Sequence, residues 1–264
     1  MYSASANRLL IGSAFYLALA SGSFAQTGPQ DDSKPDYRFY VAVYSNAVDS
    51  NVPRDIDDAI VTADMVSPGT GGSSGCTNCG GSTAGTGTLE GGGGWTVTAA
   101  RTLVEPDPRI GIQVRLLFGS TILGTNHLNP GGGGSFDIVS KVNSFAIYPS
   151  LWLMGVFHIE AGPVMHTVSV TRGTGSDLVG PIKRAGWIYG GGLTVSPFHK
   201  NPVLRNLIFD LSAHQHRAPT ATLPPIRWSG GTAWDGSSGA IFSTRPIELD
   251  FDHGVVRFGV GIRF

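Results

Sequence analysis

Four charged residues in the sequence stand alone between apolar neighbours: Arg115, Glu160, Asp210 and Arg257. Burying such groups unpaired is expensive, whereas an arginine–carboxylate pair satisfies the hydrogen-bonding groups of both partners. We therefore expect the four side chains to meet as a charge-paired cluster inside the protein. The alternative is that the same groups serve the passage of protons or small solutes.

Two histidines, His214 and His216, are the other candidates for chemistry. Their spacing puts both imidazoles on one face of an extended strand, where they could bind a metal ion or act in acid–base catalysis. No nucleophile stands at a convincing position, so we expect two partly exposed histidines and assign no catalytic residue, metal or cofactor. An enzyme that uses one of these histidines is the alternative.

The only cysteines, Cys76 and Cys79, are flanked on both sides by Gly, Ser and Thr. A zinc site needs more ligands than this pair supplies, and a thioredoxin-like site would lie at a helix start beside a βαβ pattern. We expect a local disulfide formed in an oxidising compartment, with two free thiols as the alternative.

The overall composition favours an all-β protein. The formal net charge is -1, and lysines and arginines do not cluster, which excludes the basic face that nucleic-acid binding requires. Charged residues make up 14% of the chain, too few for a disordered chain, and the 38 glycines are too many for a helical one.

The first 25 residues have the features of a signal peptide. Arg8 is followed by an apolar run from Leu9 to Ala20 and by small residues around Ala25. The run is shorter than the roughly 20 residues that a membrane-spanning helix needs. We expect 1–25 to be removed, 26–36 to form a short periplasmic segment and 37–264 to form one domain.

Alternation with period two dominates the chain from Tyr37 onward, and helical spacing is nowhere sustained. In the last strand one face is wholly apolar and the other is glycine or arginine. Seven earlier strands follow the same rule, at Tyr37 to Val43, Trp95 to Leu103, Ile110 to Phe118, Phe145 to Leu153, Phe157 to Met165, Trp187 to Val195 and Leu207 to Leu211. Eight strands suit a closed antiparallel up-and-down barrel.

The predicted connections alternate in length, as in barrels with long loops on one side of a membrane and short turns on the other. The long ones fall at 45–92, 119–135, 171–183 and 218–244, and the short ones at 105–109, 155–156 and 198–206. Pro149 and Pro163 lie within predicted strands, where a closed barrel needs every N–H. We therefore expect bulges or strand ends at both prolines.

The apolar face of these strands is predicted to contact lipid. The opposite face carries many small residues and few charges, which suits a narrow interior filled by side chains better than a water-exposed surface. A soluble barrel with an apolar interior is the alternative. Aromatic residues fall where membrane-interface girdles belong, among them Trp152 and Phe157 near one end and Trp95 and Trp187 near the other.

The final strand, Val256 to Phe264, resembles the assembly signal of bacterial outer-membrane barrels, whose most specific feature is the C-terminal aromatic residue. The resemblance implies that Phe258, Val260, Ile262 and Phe264 are read by the barrel-assembly machinery, after periplasmic chaperones have kept the chain soluble. The order of strands and loops extends the similarity to the OmpA/OmpX-type and surface-opacity-type eight-stranded barrels, here without a peptidoglycan-binding domain.

These features predict a monomeric transmembrane barrel in the bacterial outer membrane, surrounded by lipids and lipopolysaccharide. Its expected role is structural, surface-interacting or narrowly permeating. The alternative is a lipid-A-modifying barrel enzyme that uses His214 or His216, although the His-x-Ser arrangement of the deacylase type is absent because residue 216 is histidine.

Overall fold

The computed structural model describes residues 39–66, 88–107, 110–128, 135–173, 176–198, 200–201, 204–229 and 241–264. The expected signal peptide, the expected periplasmic segment and the pair Cys76 and Cys79 lie outside these residues. No helix in the described part of the chain is long and apolar enough to cross a bilayer.

The described chain is built almost entirely from strands. Its elements are β1 (Phe39–Ser50), α1 (Val52–Val61), β2 (Asp64–Val66), β3 (Thr88–Asp107), β4 (Ile110–Leu128), β5 (Phe136–Leu153), β6 (Phe157–Arg172), β7 (Ser176–Val195), β8 (Leu207–Arg217), β9 (Thr220–Leu223), β10 (Arg227–Ser229), β11 (Ile241–Ser243), β12 (Ile247–Asp250) and β13 (His253–Arg263). Eight of them close an antiparallel barrel in the order β1-β13-β8-β7-β6-β5-β4-β3. Closure leaves no edge strand in the barrel wall.

The expected direction of the two strand faces is confirmed. On β13 the side chains of Val256, Phe258 and Val260 point outward and are 41–54% exposed, whereas Arg257 is 1% exposed. Outward positions of the other strands carry similar residues, and we call this surface the apolar belt. The five outward residues from Val256 to Phe264 cover about 27 Å of strand. A strand tilt of about 40° reduces this length to a height of about 20 Å.

The start of the first barrel strand and the end of the last one meet at the same end of the barrel, which we call the terminal end. The backbone N–H of Phe264 donates to the carbonyl oxygen of Phe39 at 2.9 Å, and the two rings lie 5.6 Å apart. A tight turn at Met154 and Gly155, both with positive φ, joins β5 to β6 at this end. The opposite end, where β1 runs into α1, is the loop end.

Several strands continue past the apolar belt at the loop end, where the sequence suggested loops. Most of 119–135 belongs to β4, and most of 171–183 belongs to β6 and β7. The pairing shifts by one residue between Ile122 and Gly124, and again between Val168 and Val170 opposite β7. Such bulges exchange the inward and outward positions, which hides these strand ends from a strict period-two pattern.

A second core, which we call the cap, closes the loop end. It packs α1 and the short strands β9 to β12 against the inner face of the projecting barrel strands. Val52, Ile56, Ala59 and Ile60 form one buried stripe of α1, at the spacing of an amphipathic helix, and Pro53 favours its first turn. The sequence pattern missed this ten-residue helix because it is too short to stand out within a long predicted loop.

Pro149 and Pro163 lie neither at bulges nor at strand ends, so that expectation was wrong. Pairing between β5 and β6 keeps one register from Ala146 with Val164 to Ser150 with Glu160, but the three intervening pairs are missing. Pro149 lies on β5 and Pro163 on β6, and neither has a backbone N–H to donate to the hydrogen-bond ladder between the two strands. The barrel therefore tolerates a short gap in its hydrogen-bond ladder without changing register.

Candidate functional site: the filled lumen

The lumen inside the belt is occupied by the four isolated charges identified in the sequence. Arg115 comes from β4, Glu160 from β6, Asp210 from β8 and Arg257 from β13, and each residue is at most 2% exposed. All four sit on inward positions of strands from different parts of the wall. The closed barrel therefore brings together residues that are far apart in the sequence.

Glu160 is the centre of this cluster. Its Oε2 lies 2.6 Å from Nη1 of Arg115, and its Oε1 lies 2.9 Å from Nη2 of Arg257. His214 also contacts Oε1 through Nε2, and the Tyr148 hydroxyl donates to the same oxygen at 3.3 Å. One carboxylate thus compensates two buried guanidinium groups, and we call this set the Glu160 cluster.

Asp210 forms a separate set of contacts. Its Oδ2 lies 3.1 Å from Nε2 of His158 and accepts a hydrogen bond from the hydroxyl of Thr194. Neither arginine of the Glu160 cluster forms an ion pair with Asp210 among the described residues. His158 connects the two sets, because its Nδ1 lies 3.8 Å from Oε2 of Glu160. The four charges therefore divide into two neighbouring groups.

Aromatic rings line the lumen around the arginines. The Arg115 guanidinium lies 5.8 Å from the ring centre of Tyr40 and 5.9 Å from that of Trp152, and the Arg257 guanidinium lies 5.1 Å from that of Tyr44. Trp152 was expected in a membrane-interface girdle, but it is 4% exposed and points inward. The reason is its position in β5, where it falls on the same inward parity as Tyr148.

Gly259 provides the space for the Tyr44 ring beside Arg257. A Cβ atom at Gly259 would lie 2.4 Å from Cδ1 of Tyr44, whereas one at Gly254 would have its nearest neighbour at 3.6 Å. We expect Gly259→Ala to lower the free energy of unfolding by about 1–3 kcal/mol, because overpacking displaces the ring. Gly254→Ala, in the same strand, is the control and should stay within about 0.5 kcal/mol of the native protein in urea titrations. Equal stability of the two variants would contradict this packing.

Above the Glu160 cluster, three imidazoles meet at the loop end of the lumen. The rings of His216 and His253 stack at 4.7 Å, and His166 lies 5.6 Å from the first and 6.1 Å from the second. Gly186 leaves room for this contact, since a Cβ there would lie 2.8 Å from Cδ2 of His166. Within the described residues, no group of three or more His, Cys, Asp or Glu side chains is arranged to hold a metal ion.

The two histidines noted in the sequence are more deeply buried than expected. His214 and His216 are each 4% exposed and point into the lumen, away from the lipid-facing surface. The cap covers this end of the barrel, which the sequence pattern could not indicate.

Sequence reasoning also missed several side chains that complete the lumen. It did not single out His158, Tyr148, Thr194, His166 or His253. Inward parity was the available signal, because an even number of residues separates His158 and His166 from Glu160 on β6, and His253 from Arg257 on β13. Which of them touch depends on register, and one sequence does not fix register across eight strands.

No known protein family matches the sequence, and no curated protein is similar to it in sequence. Comparison with solved structures finds small barrels of low sequence identity. Ail, the attachment invasion locus protein of Yersinia pestis, is 11% identical with a TM-score of 0.38, covering 86% of this chain and 96% of Ail. The outer membrane protein OprG from Pseudomonas aeruginosa is 9% identical with a TM-score of 0.41, covering 89% and 99%. Neisserial surface protein A is 12% identical with a TM-score of 0.33, covering 86% and 97%.

The closed strand order, the apolar outer face and the polar lumen together define an eight-stranded transmembrane β-barrel. Its interior is filled by side chains in two layers. The lower layer, inside the belt, combines the charged and polar side chains with aromatic and aliphatic ones, and the upper layer, inside the cap, is an apolar core.

Proposed function

We propose that this protein is an outer-membrane barrel that seals its own lumen and presents its cap at the cell surface. The terminal end, with its short turns, faces the periplasm, and the loop end faces outward, as is usual for such barrels. The role is structural or surface-interacting. The lipids around the belt and the assembly machinery that reads Phe258, Val260, Ile262 and Phe264 are the partners that this location implies.

The two stacked layers of the interior are the observation that carries this proposal. The Glu160 cluster fills the lumen at belt height with side chains at most 2% exposed, apart from His214 at 4%. Above it, Ile56 and Ile60 of α1 and Phe251 are 0–1% exposed within the apolar cap. A solute would have to displace both a charge-paired layer and an apolar core. The sealed lumen therefore supports a structural or surface-interacting role over a role in permeation.

Planar-bilayer recordings test the sealed lumen. We expect the native protein to form no large stable channel, because both layers exclude water. Arg115→Ala alone should also remain closed, because the cap still covers the loop end. A large, stable conductance of the native protein would overturn the proposal.

The orientation of the cap can be tested by surface labelling of whole cells. Val61 is 53% exposed on α1, so a cysteine placed there, in a variant whose native cysteines are replaced by serine, should react with a biotin reagent added outside the cells.

A further inference from the structure

Two lysines project from the outer wall of the barrel just beyond the apolar belt. The chain has four lysines, at positions 34, 141, 183 and 200. Lys141 on β5 lies four residues beyond the outward-facing Phe145, and Lys183 on β7 lies four residues beyond the outward-facing Trp187. Both lysines are on outward positions, and both are on the loop-end side of the belt.

The height of these lysines matches the headgroup layer of a membrane. Four residues of strand are about 13 Å long and rise about 10 Å at a tilt of about 40°. The polar layer on each side of the hydrocarbon is roughly 5–8 Å thick. Because lysine stems are flexible, the ammonium groups can bend back along the wall to headgroup depth.

The strand between the two lysines supplies hydroxyl groups at the same height. Ser169 of β6 lies directly opposite Lys141, and Thr167 of β6 lies directly opposite Lys183. The outer surface of three adjacent strands therefore carries two ammonium groups and two hydroxyls. The ammonium groups can only donate hydrogen bonds, and each hydroxyl can donate or accept one.

Carboxylates near this surface are engaged elsewhere or lie further along the strands. Within the described residues, no carboxylate oxygen lies within 4.0 Å of either lysine's ammonium nitrogen. Asp137, four residues beyond Lys141, contacts Nδ1 of His127 at 2.6 Å, and this hydrogen bond raises the pKa of His127. Arg217 on β8 is paired with Asp252. The charge left on the wall at headgroup height is therefore positive.

We propose that Lys141, Lys183, Thr167 and Ser169 form a seat for the phosphate groups of a phosphorylated glycolipid in the outer leaflet. This inference rests on the proposed outer-membrane orientation. A phosphate group accepts hydrogen bonds through several oxygens, which suits paired lysines with neighbouring hydroxyls. The acyl chains of the same lipid would then lie on the apolar belt directly below, beside Phe145 and Trp187.

Lipid binding to the full-length protein in phosphatidylcholine nanodiscs tests the seat. Diphosphoryl lipid A and its dephosphorylated form are titrated separately, and bound lipid is counted by native mass spectrometry. Basic residues near an anionic surface each contribute about fivefold in affinity, so Lys141→Gln with Lys183→Gln should weaken binding of diphosphoryl lipid A by about 25-fold. Lys200→Gln, which removes the same charge near the terminal end, should leave binding unchanged.

Three results would overturn the seat while leaving the proposed function standing: equal binding of both lipids, equal binding by the double variant and the native protein, or displacement of the lipid by inorganic phosphate at equal concentration. The last would indicate a site for free phosphate. Failure of the native protein to insert into lipid at all, seen as loss of its heat-modifiable gel migration, would instead overturn the proposed function itself.

Discussion

Replacing Glu160 by glutamine is expected to lower the free energy of unfolding by about 3–5 kcal/mol, the usual cost of breaking a buried ion pair by removing one partner. The loss is large because Arg115 and Arg257 would both remain buried with their shared carboxylate gone. Urea titrations of the protein in lipid vesicles, followed by tryptophan fluorescence and by gel migration without heating, would measure the change.

The matched control for this prediction is Glu90→Gln. The Glu90 side chain is 70% exposed and lies 3.4 Å from His127, so removing its charge should change stability by less than about 0.5 kcal/mol. A double variant, Glu160→Gln with Arg115→Met, should lose less stability than the two single changes added together, because the pair is removed as a unit. If Glu160→Gln is no more destabilising than Glu90→Gln, the carboxylate is not the centre of a buried cluster.

Placing a charge on the apolar belt is expected to have the second large effect. Val260 is the middle one of the five outward apolar residues from Val256 to Phe264, so Val260→Arg should lower the free energy of unfolding in lipid vesicles by about 2–4 kcal/mol. Gly254→Arg, on an outward position of the same strand beyond the last apolar residue, should change it by no more than about 1 kcal/mol. Equal effects at the two positions would mean that hydrocarbon does not cover this face.

Much of the barrel was predictable from the sequence because a half-apolar strand leaves a period-two signal. The stretch from Val256 to Phe264 shows why: its outward residues are all apolar, and its inward residues are glycine or arginine. All eight predicted strands are confirmed as barrel strands in the expected order. The signal failed at the loop end, where a bulge after Ile122 exchanges the two faces and the outward side chains turn polar.

The candidate site was predictable only in part. Its four charges could be found because each interrupts an apolar strand, and the closed barrel brings their side chains into one lumen. Their partners could not be assigned, because a contact such as Glu160 with Arg257 spans 97 residues and depends on the register of every strand between them. The cap was missed altogether, because its core joins short segments of a long loop to strand ends that carry no clean alternation.

The direction of the apolar side chains is tested most directly by spin labels on β13. Single cysteines at Val256, Phe258, Val260 and Ile262, in a chain whose native cysteines are serine, would be labelled and reconstituted in lipid vesicles. We expect all four labels to collide readily with oxygen dissolved in the bilayer and poorly with a water-soluble nickel complex, while a label at Val61→Cys on the cap shows the reverse. Labels on β13 that are shielded from both reagents, as inside a packed core, or that collide mainly with the nickel complex, would contradict a lipid-facing barrel wall.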